Sequence, residues 1–281
     1  MTELELERSI ELFAATPTGE AVPKAARKVI DKLLEWLELG LVRAAVRQED
    51  GRWQAVPWVK RGILLGFRVG VLKDMSWEGP LAFIDKDTFP IRRFDVAAGV
   101  RIVPGGSSVR RGTYLARGVV CMPPMYVNVG AWIGAGTMVD SHALVGSCAQ
   151  IGERVHLSAA AQIGGVLEPI NASPVVVEND VIVGGNCGIY EGTVVRERAV
   201  IGAGVVLTRS TPVYDLVREM VYRASSDAPL EIPVGAVVIP GARAVSNAWG
   251  REHGLSVQTP IIVKYRDDRT DAATVLEEWL R

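Results

Sequence analysis

From Val103 to Ile163 an apolar residue recurs at every sixth position, through Val109, Leu115, Cys121, Val127, Ile133, Val139, Val145, Ile151 and Leu157. The pattern resumes in shifted phase at Val177, Val183, Ile189, Val195, Ile201 and Leu207. A helix repeats every 3.6 residues and a strand every 2, so neither makes use of six; a coil of short flat sides turning a corner every six residues does. The repeat predicts a parallel β-helix that buries one continuous apolar column and pairs stacked backbones about 4.8 Å apart. Two positions before the apolar residue stands a small or compact one, as at Thr113, Ala131, Thr137, Ala143, Ala149, Ala161, Cys187, Thr193 and Ala199, suited to crowded corners. The position after it is often glycine (Gly134, Gly146, Gly152, Gly164, Gly184, Gly202), which we read as the place where the chain bends.

The flanks follow other rhythms. Leu4, Leu6, Ile10, Leu12 and Phe13 predict an amphipathic helix, and Val29, Ile30, Leu33, Leu34 and Trp36 a second between Ala25 and Leu39, with Thr16, Pro17 and Gly19 as punctuation between them. Asp50-Gly51 between Leu41–Val46 and Trp53–Val59 signals a hairpin. The apolar run from Gly62 to Val71 is compatible with helix or strand. The solenoid period slips at Leu167–Pro174 and again at Tyr214–Pro233, two loop candidates. Near the end, Ile261–Tyr265 reads as a strand and Ala272–Leu280 as a short helix preceded by Thr270 and Asp271 as caps. The expected organisation is an N-terminal α/β domain over 1–98, a β-helix over 99–241 and a C-terminal strand/helix extension over 242–281.

Composition narrows the class. The net charge is −1 and the three His are scattered, so no basic face points to nucleic acid or a membrane surface. The three Cys (Cys121, Cys148, Cys187) lack CxxC spacing, and Cys121 and Cys187 fall on inward or corner positions, as expected of core thiols in a reducing compartment. Acidic residues interrupt the first apolar positions and no apolar run reaches membrane-spanning length, so a cytoplasmic location is expected.

Several blocks carry a resemblance: Gly136-Thr-Met-Val-Asp140, Val145-Gly-Ser-Cys-Ala-Gln-Ile-Gly152, Val155-His-Leu-Ser158 and Ile163-Gly-Gly-Val-Leu-Glu-Pro169 in the solenoid. Asp50-Gly51 with Trp53, Trp58, Leu64-Leu65 and Phe67-Arg68 add to it, as do Arg101-Ile-Val-Pro104, Val109-Arg110, Tyr126-Val-Asn128 and Ile261-Ile-Val-Lys264. Nearly end to end, the chain resembles the tetrahydrodipicolinate N-succinyltransferase family of hexapeptide-repeat acyltransferases. The resemblance implies a left-handed parallel β-helix, a handedness that the usual right-handed crossover would not predict. It also implies a homotrimer with sites between neighbouring subunits, and transfer of an acyl group from succinyl-CoA to the amine of tetrahydrodipicolinate (L-2-amino-6-oxopimelate when open) in the diaminopimelate route to lysine.

Such a transfer needs a group to take a proton from the ammonium, donors for the developing oxyanion, and cations for the substrate carboxylates. The resemblance assigns Asp140 as the carboxylate contacting the substrate amine and candidate base, Arg101 as a partner of a substrate carboxylate, and Glu168 as a loop carboxylate near the substrate. By residue type alone the plainer readings are favoured: a solvated corner for Asp140, an exposed solenoid entrance for Arg101 and an ordinary solvated loop for Glu168. Pantetheine is expected along the coils where Gly185, Ala203 and Gly204 leave room, with Lys264 and Arg266 as candidates for the nucleotide phosphates or as simple solubilising charges. His142 and His156 fall short of a three-His zinc set, so no metal is expected.

One stretch departs from the family pattern. Gly184-Gly-Asn-Cys-Gly-Ile-Tyr-Glu-Gly192 has Asn186 where the resemblance expects Arg and Gly188 where it expects a second catalytic Glu. This leaves acetyl-CoA open as the alternative donor, and Tyr190 and Glu191 as replacements whose side-chain directions depend on corner geometry. Outside the acyltransferases, the same repeat is compatible with a non-catalytic trimeric β-helix scaffold or a zinc-dependent hexapeptide-repeat carbonic anhydrase.

Overall fold

The computed structural model describes residues 1–76 and 82–267. Among these, strands of mostly two residues stack into a three-sided coil whose faces are sheets of ten, six and six strands. On the first face Arg101–Ile102, Val120–Cys121, Met138–Val139, His156–Leu157, Ile182–Val183 and Val200–Ile201 lie in register. On the second lie Ser108–Val109, Tyr126–Val127, Leu144–Val145, Gln162–Ile163, Gly188–Ile189 and Val206–Leu207. The third holds Tyr114–Leu115, Trp132–Ile133, Gln150–Ile151, Val176–Val177, Val194–Val195 and Glu231–Ile232. Paired residues such as Trp132 and Gln150 are eighteen apart, three sides of six.

In each strand the first residue faces outward and the second inward. The inward residues from Val109 to Leu207 form one core, with Ile133, Val139, Val145, Ile151, Leu157, Val183 and Ile201 all fully buried. Each contributes roughly 1.5–3 kcal/mol relative to exposure. The small residues two positions earlier are buried as well, Thr113, Ala131, Thr137, Ala161 and Ala199 among them.

Two details of the repeat differ from expectation. At the entrance it is Ile102, not Val103, that pairs in register with the inward Cys121. The corner between Ile102 and Val109 holds one residue more than the others, so the period read from Val103 is off by one there. The second concerns glycine. The bend falls three residues after the inward position, where φ is positive: Gly130 (78°), Gly136 (68°), His142 (62°), Cys148 (65°), Arg154 (53°) and Ala160 (59°). The glycines directly after the inward residue do another job. A Cβ on Gly134 would lie 2.6 Å from the Gly152 carbonyl carbon, and one on Gly146 2.2 Å from the Gly165 nitrogen. They permit adjacent coils to approach, and the corner two residues on makes the turn.

The N-terminal cap packs helices α1 (Glu3–Ala14), α2 (Ala26–Glu38) and α3 (Pro57–Val69) around Leu6, Ile10, Ile30, Leu33, Leu34 and Ile63. Thr2 and Glu5 form a reciprocal capping box on α1. The apolar run after Gly62 thus completes a helix, begun by Pro57 in its first turn. The Asp50-Gly51 turn joins Ala45–Arg47 to Trp53–Ala55 as an antiparallel hairpin. The cap core continues into the coil at Val129 and Cys148, and Leu34 presses on Gly112. Gly112, Gly130 and Cys148 are corner residues between the second and third faces, so the cap sits on that edge. Beside it, Glu178, only 6% exposed, accepts from Trp53 Nε1 (2.9 Å), Arg196 Nη1 (2.9 Å) and the Glu197 amide (3.1 Å).

Beyond the last complete turn, strand Ala236–Ala244 pairs with Val200–Ile201 and then antiparallel with Ser256–Tyr265, with α4 (Ala248–Glu252) between them. The expected strand at Ile261–Tyr265 belongs to this longer one, and the expected helix at Ala272–Leu280 lies outside the described residues. Among the described residues no helix is long and apolar enough to cross a membrane.

Candidate active site

Asp140 stands at the end of the strand Met138–Val139, on the edge between the first and second faces, opposite the cap. Its place is fixed by the ladder: its amide donates to Leu157 O (2.9 Å), and Ser158, one coil above, donates to Val183 O (2.9 Å). The side chain is half-buried, and its Oδ1 accepts the Ser141 amide at 2.7 Å. Around it on the first face stand Met138 and His156, paired in register, with Ser158 above and Met122 below.

The same edge carries the three residues expected to line a pantetheine. Ala160 N donates to Ser141 O (2.8 Å), Asn186 N to Ala159 O (3.1 Å) and Gly204 N to Gly185 O (3.0 Å), so these corners form a continuous ridge. Gly185 and the Ala203-Gly204 pair therefore lie two and three coils above Asp140. Ser141, Ala159, Gly185 and Ala203 give the ridge a narrow profile. At its upper end Gln258 Nε2 reaches Gly204 O at 3.3 Å from the C-terminal hairpin.

Arg101 is exposed on the first face, two rungs below Met138, hence about 10 Å from it along the stack. The structure brings it to the face that Asp140 borders. Glu168 is elsewhere: it is exposed on the loop leaving the edge between the second and third faces, where Leu167 packs against the cap. That loop is held by Lys60, a fully buried lysine whose Nζ donates to Ala172 O (2.5 Å) and whose pKa burial pushes down. Within one chain the fold does not bring Glu168 to Asp140. Arg266 donates to Asp180 O (2.8 Å) on the edge between the third and first faces, across the first face from Gly204, and Lys264 lies 3.9 Å from Asp267.

The departing stretch resolves into two different side chains. Glu191 Oε2 accepts the Arg209 amide at 2.8 Å and caps the next corner. Tyr190 instead folds its ring back along the outside of the second face over Gly188: a Cβ there would lie 2.4 Å from Cε2 and 2.9 Å from both Cζ and the hydroxyl oxygen. The phenol takes the room that a side chain at 188 would need. The pair Gly188-x-Tyr190, two positions apart across the end of the strand Gly188–Ile189, is the sequence signal for this arrangement. Among the described residues no three His, Cys, Asp or Glu side chains gather as a metal set.

A cap docked on one edge of a coil of stacked six-residue sides is a hexapeptide-repeat architecture. The model described as the hexapeptide repeat of succinyl-transferase matches residues 174–209, and that described as tetrahydrodipicolinate N-succinyltransferase N-terminal matches 6–69. The chain is 40% identical over 271 residues, 95% of its length and 94% of the other's, to a Polynucleobacter asymbioticus protein named 2,3,4,5-tetrahydropyridine-2,6-dicarboxylate N-succinyltransferase. It is 40% identical over 291 aligned positions, covering both chains fully, to a Nitrobacter hamburgensis protein of the same name. A crystal structure from Campylobacter jejuni, described as a 2,3,4,5-tetrahydropyridine-2-carboxylate N-succinyltransferase, shares the fold with a TM-score of 0.51 and 21% identity. That match covers 84% of this chain and 62% of the other. The coil is a left-handed parallel β-helix with an N-terminal cap. The chain belongs to the tetrahydrodipicolinate N-succinyltransferase family.

Proposed function

We propose that this protein transfers the succinyl group of succinyl-CoA to the amine of tetrahydrodipicolinate, as its open form L-2-amino-6-oxopimelate, in the diaminopimelate route to lysine. The observation that carries this reading is the match at 40% identity, over nearly the whole of both chains, to proteins named for succinylation of that acceptor. The edge geometry supports it: a carboxylate and a narrow backbone ridge share one line along the coil.

In the proposed reaction Asp140 takes a proton from the substrate ammonium. The freed amine attacks the thioester carbonyl, a C–N bond forms, the C–S bond breaks, and CoA leaves as a thiolate that is then protonated. Arg101 pairs with a substrate carboxylate and Glu168 is a further substrate contact, supplied by another subunit. Gly185, Ala203 and Gly204 let pantetheine lie against the coil. The working form is a cytoplasmic homotrimer, without metal, nucleic acid or membrane partners.

The test is thiol release from succinyl-CoA and from acetyl-CoA in the presence of the acceptor. Succinyl-CoA is expected to give the larger kcat/KM; preference for acetyl-CoA, or no release with either, overturns the reading. Asp140→Asn is expected to lower turnover by roughly 10²–10⁴-fold, the usual contribution of a positioned base, with the assembly state unchanged by sedimentation. Near-normal turnover removes Asp140 from that role.

A further inference from the structure

We propose that the Tyr190 phenol is the group that recognises the free carboxylate of the succinyl donor, and so is a specificity-determining residue. The inference rests on the succinyl-CoA reading above and deepens it. Tyr190 directly follows the strand Gly188–Ile189, and its ring lies back over Gly188 so that its hydroxyl comes 2.9 Å from where a Cβ would be. The ring also crosses Gly164 one coil below, where a Cβ would meet Cδ1 at 2.8 Å. Two glycines thus form a bed for one aromatic ring, and the bed turns the hydroxyl away from the cap-bearing edge and toward Asn186 on the edge that carries Gly185 and Gly204.

Among the described residues no acceptor bonds this hydroxyl, whereas the neighbouring Glu191 is committed to the Arg209 amide. The outward residues in register around it, Gln162, Gly188 and Val206, are uncharged. A donor laid along the ridge extends a four-carbon acyl group past the thioester, and its terminal carboxylate is the only charge on that group. A neutral O–H on an apolar bed suits it: O–H···O⁻ bonds are short and about twice as strong as neutral ones. Acetyl-CoA and free CoA offer the hydroxyl nothing equivalent.

The test is calorimetric titration of the full chain, without acceptor, with succinyl-CoA and with free CoA. Tyr190→Phe keeps the ring on its bed and removes only the hydroxyl. The succinyl-CoA dissociation constant is expected to rise about 10- to 100-fold relative to that of CoA, the loss of one hydrogen bond to a charged group. Gly188→Ala, whose Cβ displaces the ring, is expected to move the same ratio in the same direction. A ratio unchanged in both variants overturns the inference, and so does equal weakening of both ligands, which would mark Tyr190 as structural. If the unmodified protein binds neither ligand, the acyltransferase reading itself fails, an outcome distinct from either of these.

Discussion

Gly134→Ala separates two explanations of the glycine after each inward residue, because they differ in sign. Gly134 does not have a positive φ, so if it served only chain flexibility, alanine would restrict the unfolded chain and stabilise the protein by ~0.4–1 kcal/mol. The structure places the added Cβ 2.6 Å from both the carbonyl carbon and oxygen of Gly152, and 2.7 Å from Glu153 N. All three are backbone atoms of the next coil, which no rotamer change can move aside. Ordinary contact begins near 3.4 Å, so the two coils must part by several tenths of an ångström or more at this corner. The rung hydrogen bond from Gly134 N to Ile151 O, now 3.0 Å, stretches with them. Overpacking of this kind costs about 1–3 kcal/mol. For a chain of this size the melting temperature should fall by roughly 2–4 °C per kcal/mol, measurable by scanning fluorimetry at fixed protein concentration. An unchanged or raised melting temperature would refute the close-approach argument.

Two further outcomes follow from the cap and its joint. Glu178→Gln removes one of the two carboxylates bonded to Arg196, leaving Glu231 and the Gly51 carbonyl, and weakens the acceptor shared by Trp53 and Arg196, so stability should fall by about 1–3 kcal/mol in chemical denaturation, with Trp fluorescence reporting the joint. Asp87 has its pKa lowered from 3.8, chiefly by the hydrogen bond from Arg27. Its contribution to stability is therefore fully present above the unfolded value and disappears as pH falls through the lower folded value. Arg27→Met should flatten the acid limb of a melting-temperature profile below about pH 5, and an unaltered limb would contradict the pairing.

How much of this was legible depends on what each residue's neighbours had to settle. The six-residue rhythm identified the coil because inward burial is a property of each position alone. The phase at Val103 misled by one because a single extra residue in the Pro104–Ser107 corner leaves apolar residues at both 102 and 103. The Gly62–Val71 run stayed ambiguous because Gly62 and Gly66 occupy buried helix positions beside Val59 and Ile63. Their role, letting Leu33 and Ile10 within 2.9 Å of a Cβ at Gly62, is written in the partners rather than in the run. Asp140, Arg101 and the ridge glycines were assigned by resemblance, and the ladder then put Asp140 and the ridge on one edge. Gly188 and Tyr190 were both legible as a departure from the family pattern, but the direction of the phenol was not, because only the packed ring shows that it takes the room of a side chain at 188.

The prism geometry also explains why the candidate residues divide as they do. Inward positions carry the stability, and every outward residue sits on one of three faces or edges that rigid stacking keeps apart. The cap and the Glu168 loop occupy the edge between the second and third faces, locked there by Lys60 and Leu167. Asp140, Gly185 and Gly204 occupy the edge between the first and second, a whole side of the prism away. Bending the coil enough to join those edges would break the rungs and empty the core column, so no modest motion of one chain unites them. If both carboxylates serve one substrate, they come from two chains, with the edge of one copy facing the loop of another. A side-by-side trimer satisfies that requirement by rotation alone, each chain giving an Asp140 edge to one neighbour and a Glu168 loop to the other.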